Sequence, residues 1–316
     1  MACSNPFVRW KSKKPNPITG KYLIFASPGN KTSEWEPISL PCGKCPGCLM
    51  QRSRQWSMRC MLEASLWTRN CFITLTYSPQ YLPPNGSLVK KHFTLFMKRL
   101  RKKYGDGIRF FQCGEYGSKG LRPHYHACLF NFDFDDKYLW RKSDSGALLY
   151  RSPSLEKLWP YGFSTIGDVT EKSAAYVARY VLKKYDEEYR SIPLPDGCIP
   201  SYVNMSRRPG IAHDWFMKYW KDVYPLDLVV LDDNFKMLPP RYFDSLLEKI
   251  DSELMLLIRE KRKRFALDNL CRLYPEDVEE IRYGYLPKSH LDRLKVEEQV
   301  LRLRINKLKR GYEIES

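Results

Sequence analysis

The chain has 316 residues, of which 43% are hydrophobic, enough to enclose a sizeable core, and 53 Lys and Arg oppose 36 Asp and Glu. A formal charge of +17 and a pI near 9.4 favour a polyanionic partner, either nucleic acid or an anionic membrane. No apolar run approaches the roughly 20 residues needed to cross a bilayer, and "MACSNPFVRWKSKK" lacks a signal peptide's apolar centre, so the expectation is a soluble, intracellular protein with no membrane role.

Residues 1 to about 50 are punctuated by Pro and Gly and read as an irregular extension organised by cysteines. A helix over "RSRQWSMRCMLEASLW" leads to "CFITLTY", Cys71 to Tyr77, whose β-branched and aromatic content predicts a buried strand. "KHFTLFMKRLRKKYG" is a basic amphipathic helix ending at Gly105. "IRFFQCGEYG" and "RPHYHACLF" are strand-like runs whose connection holds Gly117, Gly120 and Pro123, which predicts a hairpin. Residues 131 to 170 are loop-rich with a strand at "GFSTIGDVT", and "EKSAAYVARYVLKKY" is a helix. Prolines 193, 195, 200 and 209 mark a break. Beyond it, Phe243, Leu247, Ile250, Leu254 and Leu257, and then Leu291, Leu294, Leu301, Ile305 and Leu308, recur at helical steps. The basic runs "REKRKR" and "RLRINKLKR" on those helices suit either DNA phosphates or a solvated face. The layout divides into a Cys-rich extension (1–60), a central domain (61–190) and a mainly helical, basic region (191–316).

Ten cysteines in a reducing compartment read as metal ligands or core side chains rather than disulfides. Cys42, Cys45 and Cys48 form "PCGKCPGC", in which glycine turns let thiolates converge on one ion. Tetrahedral zinc needs a fourth ligand, and Cys3 is preferred to Cys60, which lies in a helical stretch and reads equally as core. An iron–sulfur cluster fits less well, because no fourth Cys followed by Pro comes soon after the third. No GxxxxGK[ST] occurs, which argues against a nucleotide-driven motor.

Two of the five histidines, His124 and His126, stand one residue apart on a strand and so project from one face. Alone, such a pair reads as two hydrogen-bonded histidines beside a core. The hairpin changes that reading, since it returns Glu115 to the histidines. Two imidazoles and a carboxylate with open positions suit Mg²⁺ or Mn²⁺ better than a closed zinc site. On the last central helix, rotation of about 100° per residue puts Tyr176, Tyr180 and Lys183 within an arc of about 60°. Ala174, Val177, Ala178, Val181 and Leu182 take the opposite side, so the tyrosines are expected to face outward. Tyrosines at a domain boundary are the plainer explanation.

Combined, these groups suggest a phosphoryl transfer. A metal held by Glu115, His124 and His126 would polarise a scissile phosphate while a tyrosyl oxygen attacks phosphorus and a DNA 3′-hydroxyl leaves. The resulting 5′-phosphotyrosine conserves the bond energy, so a later 3′-end can reseal DNA without ATP. Lys183 would stabilise phosphate charge or the phenolate. Two tyrosines one turn apart allow two transfers, one opening a circle and one closing it.

Over most of residues 1 to 185, "PCGKCPGC", "FITLTYSP", "FMKRLRKKYG", "CGEYG", "RPHYHACLF" and "SAAYVARYVLKK" together resemble, in order and spacing, the HUH replication initiators, and more narrowly those of gokushovirus-type microviruses. The resemblance implies an α+β HUH endonuclease fold: a central antiparallel β-sheet flanked by helices, with a Cys-rich N-terminal extension and a helical C-terminal region. It implies that "FITLTY" lies under the site, that the histidine pair binds the divalent ion, and that Tyr176, Tyr180 and Lys183 form the YxxxYxxK motif. Tyr180 is the choice for first nucleophile. Arg122, Arg179 and Lys184 are expected to face phosphates. The implied function is site- and strand-specific nicking and joining that starts and ends rolling-circle replication of a circular single-stranded DNA phage genome. Host helicase and DNA polymerase would be partners, in the cytoplasm of the bacterial host. The alternatives are a single-strand transposase of the same superfamily, a conjugative relaxase, whose tyrosine usually precedes the histidines, and a noncatalytic zinc-containing nucleic-acid binder using basic helices and the 14% aromatic residues.

Overall fold

The computed structural model describes residues 3–17, 22–27, 34–117, 120–143, 146–183, 194, 196–232 and 235–306. The chain divides into two units, residues 1–51 with 244–308 and residues 52–243, so both ends of the sequence contribute to the first unit.

The N-terminal part of that first unit is not irregular. β1 (Phe7–Ser12), β2 (Ile24–Phe25) and β3 (Trp35–Leu40) form an antiparallel sheet in the order β2-β1-β3. Of the described prolines that suggested coil, Pro15 and Pro17 follow β1 and Pro41 follows β3. Pro37 lies inside β3, which is tolerable because β3 is an edge strand paired only with β1. The helix α1 (Pro46–Ala64) starts within the cysteine cluster, several residues earlier than expected.

Residues 52–243 build the main sheet. β4 (Asn70–Tyr77) is followed by α2 (Lys90–Tyr104), the hairpin β5 (Arg109–Tyr116) and β6 (Pro123–Phe130), then β7 (Tyr138–Lys142), β8 (Leu148–Arg151), α3 (Pro153–Leu158), β9 (Gly162–Gly167) and α4 (Glu171–Lys183). β10 (Tyr202–Met205) returns to the sheet edge, giving the order β10-β5-β6-β4-β9-β8-β7 with every pairing antiparallel. Residues 131–170, expected to be mostly loop, thus supply three of the seven strands. The mainly helical chain beyond residue 190 also contributes a strand, β10, which completes this sheet.

Strand alternation sorts the two faces. Cys71, Ile73, Leu75 and Tyr77 of β4 pack with Phe93, Phe96, Met97 and Leu100 of α2 and with Leu155 and Leu158 of α3. Phe72, Phe111, Cys113, Cys128 and Phe130 point the other way, onto Cys60 and Ala64 of α1 and Ala174, Tyr176, Val177 and Ala178 of α4. Gly105 ends α2 at φ 93°, a conformation glycine adopts without penalty.

A buried charge network pins the chain after β10. Arg109 Nε meets Glu63 Oε1 at 2.6 Å, and the other carboxylate oxygen accepts from Ala212 N at 2.6 Å. Arg109 Nη2 donates to the carbonyls of Pro209 and Gly210, both at 3.0 Å. Arg59 donates twice to the Ile211 carbonyl, with its guanidinium over the rings of Trp56 and Tyr242 at 4.1 and 4.0 Å. Each of these charges has partners, which is the condition for tolerating it in the interior.

α5 (His213–Leu226), β11 (Val229–Asp232) and β12 (Phe235–Met237) follow. The remaining helices are α6 (Arg241–Ile250), α7 (Ser252–Leu273), α8 (Val278–Tyr283) and α9 (Lys288–Asn306). The expected stripe through Phe243, Leu247, Ile250, Leu254 and Leu257 does not persist. Asp251 caps a new helix by accepting from Leu254 N at 2.8 Å, the phase resets, and Met255 and Ile258 are buried while Ile250 and Leu257 are exposed. Arg259 and Arg262 of "REKRKR" pair with Glu248 and Asp244 of α6, both at 2.8 Å. Those two charges brace helices. Among the described residues, no helix is long and apolar enough to cross a membrane.

Candidate active site and metal centres

The β5–β6 register sets Glu115 directly opposite His124, and Cys113 opposite His126. The turn is closed by Gly117 N donating to the Arg122 carbonyl at 3.0 Å. Because both histidines project to the α4 side, the three side chains converge. Glu115 Oε1 lies 2.9 Å from Nε2 of His124 and 2.9 Å from Nε2 of His126. All three residues are buried.

The far nitrogens are held as well. His124 Nδ1 lies 3.1 Å from the Arg122 carbonyl, an acceptor, which holds the ring with Nε2 turned toward Glu115. His126 Nδ1 meets Thr74 Oγ1 at 2.9 Å, and its ring stacks on Phe72 with centroids 5.7 Å apart. Burial pushes the Glu115 carboxyl up. The charge of His124 and hydrogen bonds from both imidazoles outweigh that and hold it well below the usual carboxylate range. A buried carboxylate kept ionised beside two imidazoles, each with its second nitrogen anchored, is a fitting donor set for a divalent cation.

α4 supplies the tyrosine. Thr170 caps it, with Ser173 N donating to Thr170 Oγ1 at 3.1 Å and Thr170 N to Ser173 Oγ at 2.8 Å, which fixes the start of the helix. Ser57 Oγ of α1 donates to the Glu171 carbonyl at 3.3 Å. The expectation of an outward-facing Tyr176 is corrected: it is 3% exposed, edge-on to His126 with centroids 5.0 Å apart. Its hydroxyl donates to Glu115 Oε1 at 3.2 Å. A helical wheel counts tyrosine as polar, whereas a tyrosine whose hydroxyl has an acceptor is readily buried. The side chains of Arg179, Tyr180 and Lys183 on α4, and all of Lys184, lie outside the described residues. Arg122 is half-buried at the hairpin turn, and its described part in the site is the carbonyl that orients His124.

Sequence reasoning missed Thr74 and Phe72, which support His126 from β4. Alternation along "FITLTY" puts both on one face, but only the β4–β6 register, Thr74 opposite His126, reveals the contact.

The second cluster lies wholly within residues 1–51. The sulfurs of Cys3, Cys42, Cys45 and Cys48 all lie within 4.8 Å of one another. Cys45 and Cys3 are 3.9 Å apart, close to the roughly 3.8 Å expected for two thiolates on a tetrahedral ion with bonds of about 2.3 Å. Backbone N–H groups point at the sulfurs: Cys42 N to Cys3 at 3.2 Å, Cys45 N to Cys42 at 3.2 Å and Cys48 N to Cys45 at 3.5 Å. Gly43 makes the turn at φ 73°, and Cys48 sits in the first turn of α1, where the helix end favours negative charge. Burial raises the Cys45 thiol, but hydrogen bonds from the Ser4 side chain and from backbone groups bring it down to about 6. Cys48 is pushed far above the usual thiol value by burial and its neighbours. Cys60 is fully buried in the core of the other unit and takes no part.

Residues 70–185, from β4 through α4, match the family model for replication-associated proteins of the ORF2 type. The chain is 34% identical over 286 residues to "Replication-associated protein ORF2" of Spiroplasma virus 4, covering 84% of this chain and 87% of the relative. It is 32% identical over 230 residues to "Replication-associated protein VP4" of Bdellovibrio phage phiMH2K, covering 69% and 70%. With "Replication-associated protein ORF4" of Chlamydia phage 1 it shares 34% over 230 residues, covering 68% and 55%. No solved structure matches. Identity sustained over more than four-fifths of both chains settles the relationship, and the protein is a member of the ORF2-type family of replication-associated proteins of gokushovirus-type microviruses.

Proposed function

We propose that this protein is a replication initiator of the HUH type, which cuts and reseals one strand of its phage DNA at the origin through a 5′-phosphotyrosine. The carrying observation is that the Tyr176 hydroxyl and both imidazole Nε2 atoms meet the same oxygen of Glu115, at 3.2, 2.9 and 2.9 Å. A divalent cation bound by Glu115, His124 and His126 would supply Lewis acidity to a phosphate oxygen. Mg²⁺ or Mn²⁺ suits these donors.

The chain's own residues do the rest. The Arg122 carbonyl meets His124 Nδ1 across the turn, so the imidazole that faces the phosphate is fixed in direction. Glu115 orients the tyrosyl hydroxyl by accepting its hydrogen bond, and Tyr176 must leave that bond to attack phosphorus. The P–O3′ bond breaks as the P–O(Tyr) bond forms, and the 3′-hydroxyl leaves. Tyr180 performs the complementary transfer, with Lys183 stabilising the phenolate and Arg179, Lys184 and Arg122 contacting phosphates. The assignment of Tyr180 as first nucleophile concerns a side chain outside the described residues. Cys3, Cys42, Cys45 and Cys48 hold a structural zinc. Single-stranded origin DNA is the substrate, unwinding and synthesis fall to host helicase and polymerase, and the work takes place in the cytoplasm of the bacterial host.

The burial of Tyr176 is the observation on the side of a noncatalytic zinc-containing binder. One assay separates the two. Incubating supercoiled phage DNA with protein and Mn²⁺ is expected to give nicked circles carrying covalently attached protein. Salt-sensitive complexes without a nick would overturn the proposal.

A further inference from the structure

We propose that Phe163 is the platform on which a base of the single-stranded substrate stacks beside the cleavage centre, an inference that rests on the nicking reading above. Three pairings place it there. Glu115 of β5 is opposite His124 of β6, His124 is opposite Thr76 of β4, and Thr76 is opposite Phe163 of β9. Directly opposed residues of antiparallel strands point to one face, so these four side chains form a single row on the side that carries the metal ligands.

Exposure along the row rises from 1% at Glu115 through 8% at His124 and 8% at Thr76 to 53% at Phe163. α4 packs over β5, β6 and β10 at the other end. Phe163 thus ends the row as an aromatic ring in water, at the end away from the strands that α4 covers. Single exposed apolar residues are ordinary on protein surfaces. What distinguishes this one is its register: two strand spacings, roughly 10 Å, separate it from His124. At about 3.4 Å per stacked nucleotide, and more when the strand is extended, that span brings the second or third nucleotide from the scissile phosphate onto the ring.

The backbone holds Phe163 in this position. A Cβ on Gly162 would meet Ser78 N at 2.2 Å and the Thr76 carbonyl oxygen at 2.5 Å, so only glycine lets β9 begin this close to the end of β4. Ser78 N donates to the Tyr161 carbonyl at 2.9 Å, tying the same two segments. A flexibly held phenylalanine would lose entropy on stacking, and one fixed by the sheet loses less. Every base has a π-face, so such a platform contributes affinity without selecting sequence.

The test measures binding of fluorescein-labelled oligothymidylate by anisotropy without added Mg²⁺ or Mn²⁺, so that the result does not depend on cleavage. Phe163→Ala and Phe163→Leu are expected to weaken binding by about 5- to 150-fold, the range for loss of one base–aromatic stack, while Phe163→Trp retains parental affinity. Circular dichroism and thermal melting verify that each variant is folded, which the exposure of Phe163 favours. Equal affinity of the parent and Phe163→Ala, or parental affinity in Phe163→Leu, overturns the proposal, because a greasy contact would survive the Leu substitution. Nicking by the parent in Mn²⁺ is scored separately. Nicking with unaltered Phe163→Ala binding sinks the platform alone, and a Phe163-dependent complex that never nicks sinks the chemistry alone.

Discussion

The hydroxyl of Tyr176 donates to Oε1 of Glu115 across 3.2 Å, although 61 residues separate the two in sequence. That contact joins the tyrosine helix to the histidine hairpin, and it is made by the one oxygen that both imidazoles also face. Replacing Tyr176 by Phe keeps the ring edge-on to His126 and removes only the hydroxyl.

Tyr176→Phe combined with Tyr180→Phe is therefore expected to lower covalent attachment and nicking by about a thousandfold or more. Tyr176→Phe alone should cost no more than about 3 kcal/mol of stability in urea unfolding, the scale of one hydrogen bond to a charged acceptor. Peptide mapping of the DNA–protein adduct then shows which tyrosine opens the circle. Parental nicking in the double variant removes the tyrosines from the chemistry.

Glu115→Gln is expected to weaken Mn²⁺ binding by at least about tenfold in isothermal titration. The acid dependence has a defined sign. Because Glu115 is held below the usual carboxylate value of 4.5, its charge stabilises the metal-free fold at neutral pH, and that contribution is lost as pH falls. Without added Mg²⁺ or Mn²⁺, the melting temperature gap between parent and variant should be widest near pH 7 and shrink steadily below about pH 4.5. A gap that is constant or widens in acid contradicts the charge pairing with His124 and His126.

Elemental analysis of the purified protein should find about one zinc per chain. Cys42→Ser is expected to abolish it and to lower the melting temperature by about 10 °C or more, whereas Cys60→Ser, at a fully buried core position, keeps the metal. A zinc-free parent, or full zinc in Cys42→Ser, would refute the four-cysteine assignment.

Gly162→Ala introduces a methyl group 2.2 Å from the backbone nitrogen of Ser78, next to Tyr77, which pairs with Gly162 in the sheet. The clash is not relieved by a rotamer change, so a loss of at least about 3 kcal/mol in denaturant unfolding is expected. Near-parental stability would show that β9 can shift away from β4.

Much of the site was legible in local pattern. Period-two alternation put His124 and His126 on one face, the glycine-rich turn joined β5 to β6, and the spacing of Cys42, Cys45 and Cys48 anticipated sulfurs on one centre. What failed did so for nonlocal reasons. Pro and Gly in residues 1 to about 50 were read as an irregular extension, yet the segment holds three strands whose pairing depends on partners distant in sequence. β10 follows a proline-rich break, and its membership of the sheet is decided by β5, some 90 residues earlier. Asp251 carries the signature of a helix cap, but the regular leucine spacing around it outweighed that single residue.

By itself, the sequence determined the elements that carry the chemistry: basic charge, four thiols near the N-terminus, a carboxylate and two imidazoles on a hairpin, and tyrosines one turn apart on a helix. Those follow from side-chain type and from the fixed periods of strand and helix, which are local properties. Only the tertiary structure decided that Tyr176 is turned inward onto Glu115, that Thr74 and Phe72 brace His126, and that Phe163 shares a row with Glu115 and His124. Register and packing are set by which strands meet, and that choice belongs to the burial of the whole core.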